Sequence, residues 1–134
     1  MSQENVELVR QGFAAFNRGD YETGATFFHP EVEWHAYLGE LGGSVHRGRE
    51  ALVKMWRDLD DNLGGNLRVE ALEIIDCGEN DVVVVLEARG TGTGSGVRVH
   101  QRWAQLYSAA DGLVIRVRPF PDREAALRAA GLAE

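Results

Sequence analysis

The sequence has only one cysteine, Cys77, among its 134 residues. One thiol cannot form a disulfide within the chain, and it lacks the second cysteine that zinc sites commonly use. Its neighbours Ile74 and Ile75 are typical of the end of a strand. We therefore expect Cys77 to be a structural residue and not a nucleophile.

Positive charge and long apolar stretches are also scarce. The 14 Lys and Arg residues are outnumbered by 21 Asp and Glu residues, which leaves a net charge of -7. A nucleic-acid-binding protein needs a clustered basic surface, so we do not expect a nucleic-acid partner. No apolar run is long enough to span a bilayer, and the start of the chain does not resemble a signal peptide. These features predict a soluble, cytoplasmic protein with no membrane partner.

The rest of the composition is that of an ordinary globular protein, with 44% hydrophobic and 26% charged residues. A chain of this length can bury one good core. Neither an internal repeat nor a linker interrupts it, so we predict a single domain over residues 1–134.

Apolar residues at helical spacing predict three helices in the first half of the chain. The first begins after Ser2 and carries Val6, Val9, Phe13 and Phe16. Asp20 is placed to cap a second helix from Tyr21 to about Phe28, which Pro30 should end. The third contains Leu52, Met55, Trp56, Leu59 and Leu63 and ends at Gly64-Gly65. A short closing helix should follow Asp122.

Alternation and branched residues predict the strands. From Val32 to Tyr37, Trp34 lies on one side while Glu33 and His35 lie on the other. A Gly-rich loop follows, from Gly39 to Gly48. Residues 67–76, 82–89, 97–108 and 113–120 then form four strands joined by short turns, which suits an antiparallel meander. The pattern predicts an α+β fold, with helices on one face of a curved sheet and a pocket between them.

Several local motifs occur in an order that resembles a known family. They are Phe13-Ala14-Ala15-Phe16-Asn17-Arg18-Gly19-Asp20, Phe28-His29-Pro30-Glu31-Val32-Glu33-Trp34, Gly48-Arg49-Glu50-Ala51, and Asp111-Gly112 followed by Ile115-Arg116-Val117. Together they resemble the nuclear-transport-factor-2-like superfamily, in particular its SnoaL-like and ketosteroid-isomerase-like branch. The resemblance implies a cone-shaped, mainly antiparallel sheet packed on three N-terminal helices (a cystatin-like or SnoaL-like roll). It also implies a deep apolar pocket and a homodimer formed through the outer sheet face.

The resemblance does not carry over a catalytic set. The tyrosine of ketosteroid isomerases falls near Gly12, their general-base aspartate near Ala36, and their second acid near Trp103. We recognise neither the carboxylate of polyketide cyclases nor the Asp–Arg–Asp set of epoxide hydrolases. Because this fold supports both enzymes and non-enzymatic binders, whether this chain is an enzyme stays open.

Strand parity and helix spacing nevertheless predict which side chains line the pocket. Trp103, Tyr107, Ile115 and Val117 should face inward with Trp34, and Arg98, His100, Arg102, Arg116 and Arg118 outward. The predicted ligand contacts are Phe13, Phe16, Trp34, Tyr37, Met55, Trp56, Leu59, Gln101, Trp103, Gln105, Tyr107 and Val117. Tyr37, Gln101, Gln105 and Tyr107 are the polar members, which would orient a ligand. An aromatic stripe is more often core, but in this fold the core would also line the pocket.

Among the four histidines, His46 is the candidate for acid–base chemistry, because its loop should lie at the pocket mouth. The alternative is an ordinary surface histidine. We expect His29 to be structural at a helix end, and His35 to point away from the pocket. The histidines show no metal-ligand spacing, so we expect neither a metal nor another cofactor.

Two functions are compatible with these features. The chain could bind a small apolar, cyclic molecule, with or without isomerase, cyclase or hydrolase activity. Alternatively, it could be a non-catalytic binding or dimerisation module of the same fold. A weaker third possibility is that the arginines of the outer face recruit an acidic partner.

Overall fold

A computed structural model describes residues 2–36, 45–62, 66–78, 80–91 and 98–131. The helices are α1 (Ser2–Asn17), α2 (Tyr21–Ala25), α3 (Arg49–Asn62) and α4 (Arg123–Ala129). The strands are β1 (Phe28–His35), β2 (Val45–Arg47), β3 (Arg68–Asp76), β4 (Asp81–Thr91), β5 (Arg98–Ala110) and β6 (Leu113–Phe120). The predicted α+β class is confirmed.

The six strands form one open sheet in the order β2-β1-β6-β5-β4-β3. Strands β3 to β6 pair consecutively and antiparallel, so the predicted meander is confirmed. The final strand β6 then pairs in parallel with the first strand, β1, so the first and last strands are neighbours within the sheet.

Side-chain caps begin two of the helices as predicted. The Asp20 carboxylate accepts a hydrogen bond from the Thr23 N–H at the start of α2. Hydrogen bonds from the side chain and the backbone of Thr23 lower the pKa of Asp20. The Asp122 carboxylate accepts from the Ala125 N–H at the start of α4. Each cap satisfies a backbone donor that has no partner within its helix.

The prediction that α2 extends to Phe28 is wrong, since α2 ends at Ala25 and Phe28 begins β1. Phe28 pairs with Val114 of β6, and the β1–β6 register then shifts before Glu33. Pro30 lies within this irregular stretch. A proline has no N–H to give to a ladder, so the interruption accommodates it. His29 is consequently a strand residue and not a helix-end residue, and its Nδ1 accepts from the Glu31 N–H at 3.0 Å.

The Gly-rich segment contains a strand that the sequence pattern did not indicate. Val45–Arg47 pair antiparallel with β1, and Arg47 donates to the Glu33 carboxylate at 2.7 Å. Residues 37–44 of the predicted loop lie outside the described part of the chain, as do residues 92–97 of the Gly-rich connection between β4 and β5.

A register shift between β5 and β6 changes which side of the sheet Ile115 faces. Tyr107 pairs with Val117, whereas Ala109 pairs with Val114, so one extra residue is accommodated between them. Because side chains alternate along a strand, this bulge exchanges inward and outward positions. Val114 faces the helices, and the prediction that Ile115 does so is wrong.

The sheet separates two apolar clusters of unequal size. The larger lies between the sheet and the first three helices and includes Val32, Leu52, Trp56 and Leu86. The smaller lies on the outer face, where Ala126 of α4 packs against Val83, Ala104 and Leu106. Helix α4 therefore covers part of the outer sheet face, through which the resemblance implies a homodimer.

Candidate functional site: an apolar cavity beneath the helices

A cavity of about 350 Å³ lies between α1, α3 and the inner face of the sheet. Nine of the twelve predicted pocket residues line it: Phe13, Phe16, Trp34, Met55, Trp56, Leu59, Trp103, Gln105 and Tyr107. Helix spacing brings together those from α1 and α3, and strand parity brings together those from the sheet.

Three predicted pocket residues are not part of this lining. Tyr37 lies outside the described part of the chain. Gln101 is half-buried on β5, opposite Ala88, but does not reach the cavity wall. Val117 is fully buried between Trp34 and Tyr107, its direct neighbours on β1 and β5. It belongs to the apolar core between the sheet and the helices.

Other lining residues were not predicted, and some of them could have been. Leu86 and Ala88 of β4 line the cavity because Leu86 pairs with Trp103 and places its side chain on the same face. The alternation of side chains along β4 could therefore have predicted both residues from the sequence. Phe28 also lines the cavity, but its placement depends on the start of β1, which the sequence pattern located wrongly.

Trp56 is the centre of an aromatic wall along one side of the cavity. Its ring centroid lies 5.9 Å from that of Trp34, 5.7 Å from Phe28 and 5.8 Å from Phe16. The Trp34 and Phe16 rings meet it nearly edge to face, at 83° and 89°. Edge-to-face packing is a favourable arrangement of aromatic rings, so these contacts stabilise the wall.

A polar pair lies on the sheet side of the cavity. The Tyr107 hydroxyl donates a 2.7 Å hydrogen bond to Oε1 of Gln105, and both residues are buried. They are two positions apart on β5, so they project from the same face. Burial raises the pKa of Tyr107 far above its ordinary value, so the phenol stays protonated at any physiological pH.

His46 and Asp58 are the other titratable residues among the described lining. His46 pairs directly with Trp34 across β1 and β2, which places its side chain on the cavity face. The Asp58 carboxylate accepts a 2.9 Å hydrogen bond from Lys54 and is more than half exposed, so it is at the rim. His35 lies on the opposite face, as predicted, where its ring bonds Glu33 at 3.2 Å.

Gly12, Ala36 and Trp103, the residues near which the resemblance implies the isomerase catalytic positions, all line the cavity. None of these side chains is a carboxylate or a phenol, so this cavity cannot perform proton transfer with that constellation.

The outer face carries a charged cluster around one buried carboxylate. Glu87 is 4% exposed and accepts hydrogen bonds from Arg89 at 2.7 Å and Arg102 at 3.2 Å, and it bonds His100 at 2.8 Å. These hydrogen bonds lower the pKa of Glu87 to about 2, and the bond with His100 has the largest effect. His100 and Arg102 thus face outward as predicted. Arg116 is exposed, and Arg118 lies 5.9 Å from the Phe120 ring.

The described residues show neither a group of side chains suited to a metal ion nor a helix suited to a membrane. No three His, Cys, Asp or Glu side chains are grouped so that they could hold a metal ion. None of the described helices has the length and apolar character needed to cross a membrane.

An open, mostly antiparallel sheet over helices that enclose an apolar cavity defines the cystatin-like, nuclear-transport-factor-2-like class of α+β roll. Residues 9–117 match the model of the SnoaL-like domain, so the chain belongs to this family. The family resemblance inferred from sequence is confirmed.

Two mycobacterial proteins are similar in sequence to most of the chain. The chain is 28% identical over 116 residues to protein Rv0034 of Mycobacterium tuberculosis H37Rv and to protein Mb0035 of Mycobacterium bovis, and the match covers 87% of each chain.

Three solved structures illustrate the similarity of fold. Bal32a, from a soil-derived mobile gene cassette, superposes with a TM-score of 0.80 at 25% identity, covering 88% of both chains. The epoxide hydrolase/cyclase-like enzyme SalBIII superposes with a TM-score of 0.75 at 20% identity, and the match covers 90% of this chain and 93% of SalBIII. TerC, co-crystallised with polyporic acid, superposes with a TM-score of 0.74 at 23% identity, and the match covers 96% of this chain and 98% of TerC.

Proposed function

We propose that the protein binds a small apolar ring compound in the cavity between its helices and its sheet. The observation that carries this proposal is the wall of edge-packed rings around Trp56, which faces a cavity of about 350 Å³. Such a surface offers a flat apolar ligand both van der Waals contact and favourable ring geometry.

The size of the cavity limits the ligand. A volume of 350 Å³ is at the lower end of the range of about 300–1,000 Å³ found for small-molecule sites. A compound of about two fused rings fits it. Burying roughly 300 Å² of apolar ligand surface contributes roughly 7 kcal/mol, part of which offsets lost ligand motion, so we expect dissociation constants between about 10 μM and about 1 mM.

A thermal-shift titration with naphthalene-sized compounds tests the proposal, with quenching of tryptophan fluorescence as the second readout. Binding should raise Tm in a concentration-dependent way. Trp34 and Trp56 border the cavity, so the same ligands should change the emission. Absence of both effects across a panel of neutral bicyclic compounds would refute the proposed function.

A second candidate function is acid–base catalysis on the bound compound, with His46 as the group that transfers the proton. The specific observation in its favour is that His46 lines the cavity opposite Trp34. The epoxide hydrolase/cyclase-like enzyme SalBIII and a putative polyketide cyclase from Xanthomonas campestris share the fold. Ring-forming and epoxide-opening reactions of apolar compounds are therefore the first to assay.

The variant His46→Gln separates the two candidate functions. If His46 transfers a proton, turnover falls by about 10²-fold or more while the dissociation constant changes little. If wild-type protein binds ring compounds but shows no turnover that depends on His46, the non-catalytic alternative holds. Cytoplasmic location and the homodimer remain predictions.

A further inference from the structure

We propose that the ligand is neutral and carries a carbonyl oxygen that accepts a hydrogen bond from the side-chain N–H of Gln105. This inference rests on the proposed function and specifies the ligand class for the same cavity.

The direction of the bond between Tyr107 and Gln105 supplies the first step. A phenol has one hydrogen, and the Tyr107 hydroxyl gives it to Oε1 of Gln105 at 2.7 Å. This bond fixes which end of the Gln105 amide faces Tyr107. The amide nitrogen, with its two N–H donors, therefore points elsewhere.

The second step is the absence of an acceptor for those donors. Within the part of the chain that the structure describes, the Gln105 side chain makes only the bond with Tyr107. Gln105 is 3% exposed, and it lines the cavity. In an apolar cavity little water competes for an N–H, so an acceptor atom of a ligand gains more here than it would on the surface.

The third step concerns charge. No Lys or Arg is among the described lining residues, and the carboxylate of Asp58 stands at the rim. A ligand carboxylate buried near Gln105 would lose its hydration, and the described lining offers it no Lys or Arg as a countercharge. Burial also keeps Tyr107 protonated, so the polar pair itself is neutral. A ketone, quinone or lactone carbonyl satisfies the amide donor without bringing a charge into the cavity.

Three naphthalene probes of nearly equal shape test the inference: 2-acetonaphthone, 2-ethylnaphthalene and 2-naphthoate. In wild-type protein the ketone should bind about three- to tenfold more tightly than the ethyl compound, which corresponds to one net hydrogen bond. The naphthoate should bind more weakly than the ketone. Dissociation constants come from tryptophan quenching and isothermal titration.

Two matched variants test whether Gln105 causes the tighter binding of the ketone relative to the ethyl compound. Gln105→Met keeps the length of the side chain and removes the donors, so the ratio between ketone and ethyl compound should fall to about one. Gln101→Met makes the same change on the same strand but outside the cavity lining, so the ratio should remain that of wild type. Gln105→Met also frees the Tyr107 hydroxyl, which could itself donate to a ketone, so Tyr107→Phe is added in a double variant. A preference that survives in the double variant would overturn the inference.

A measurement on wild-type protein covers the case in which Gln105→Met does not fold. The infrared carbonyl stretch of bound 2-acetonaphthone should lie below its value in hexane, because hydrogen bonding weakens the C=O bond. A stretch at the hexane value would overturn the inference. Failure of all the probes to bind would instead refute the proposed function, whereas equal binding of ketone and ethyl compound would refute this inference alone.

Discussion

Trp34 and His46 lie directly opposite one another on β1 and β2, and both line the cavity. Directly paired residues of an antiparallel ladder project to the same face, so the indole sets the side on which the imidazole lies. His46 therefore belongs to the cavity wall because of a short strand, and not because of a flexible loop.

Trp34→Ala should weaken both the fold and ligand binding. The indole packs on Trp56 and Phe28, but it is only half-buried, so we expect a loss of about 2 kcal/mol in the free energy of unfolding. The dissociation constant for a bicyclic ligand should rise at least about tenfold because the ring contacts are lost.

Urea denaturation and fluorescence titration measure the two effects of Trp34→Ala. Val45→Ala is the control: this side chain neighbours His46 but is 43% exposed. It should change the unfolding free energy by less than about 0.5 kcal/mol. Unchanged ligand affinity in Trp34→Ala would contradict the placement of the ligand against the aromatic wall.

Much of this fold follows from local sequence signals. Periodicity located α1, α3 and the four strands of the meander, and β6 has the predicted bounds of 113–120. The aromatic and polar residues of the cavity followed from the same periodicity, since helix spacing and strand parity decide which side chains share a face.

The remaining features depend on contacts distant in sequence. Pro30 predicts a helix end locally, but the pairing of Phe28 with Val114, 86 positions away, places it in a strand. The bulge that turns Val114 inward in place of Ile115 arises from register with β5. No local pattern distinguishes these outcomes, because sheet register is set by both strands together.

Filling the cavity at Gly12 should stabilise the protein and reduce binding. A Cβ atom added at Gly12 meets no atom within 4 Å, and the residue lines the cavity from α1. Gly12→Ala should raise the free energy of unfolding by about 1 kcal/mol through helix propensity alone. Gly12→Leu should in addition weaken binding of a bicyclic ligand by about tenfold or more, because its side chain occupies ligand volume.

Gly24→Ala is the matched control for the Gly12 variants. Gly24 is not itself a lining residue, and its Cβ would make ordinary contacts with Ala15 and Trp56, at 3.6 and 3.7 Å. It should leave the dissociation constant unchanged. If Gly12→Leu binds the ligand as tightly as wild type, the ligand does not use this cavity.

Asn17 at the end of α1 should contribute strongly to stability through the edge strand β3. Its side chain donates to the Val69 carbonyl at 2.6 Å and accepts from the Val69 N–H at 3.1 Å. Asn17→Ala removes both bonds and should cost about 2 kcal/mol, at about 1 kcal/mol for each. Urea denaturation measures the loss, and hydrogen exchange should show faster exchange of the Val69 amide. Gln11→Ala, on an exposed turn of α1, should cost less than about 0.5 kcal/mol.

The homodimer implied by the family resemblance can be tested on the outer face. Arg116 is exposed on β6, opposite Glu33 of β1. If the dimer forms through this face, wild-type protein should have twice the monomer mass in light scattering, and Arg116→Glu should shift it towards monomer. Arg10→Glu makes the same charge change on α1 and should remain dimeric. A wild-type monomer at all concentrations would rule the dimer out.

The carboxylate of Glu87 should make stability depend on pH in the acid range. Its pKa is lowered from 4.5 to about 2 by hydrogen bonds from His100, Arg89 and Arg102. The folded state therefore binds this proton less readily than the unfolded state does, and the stabilisation is fully present above about pH 4.5. It should be lost progressively as the pH falls towards 2.

Urea midpoints measured between pH 7 and pH 2 test this expectation. Glu87→Gln should be less stable than wild type at pH 7, and the difference should shrink as the pH approaches 2, because wild-type Glu87 is then becoming neutral as well. Glu73→Gln removes an exposed ion pair with Arg123 and should stay within about 0.5 kcal/mol of wild type at pH 7. A difference between Glu87→Gln and wild type that does not change with pH would show that packing, and not the charge of the carboxylate, accounts for its contribution.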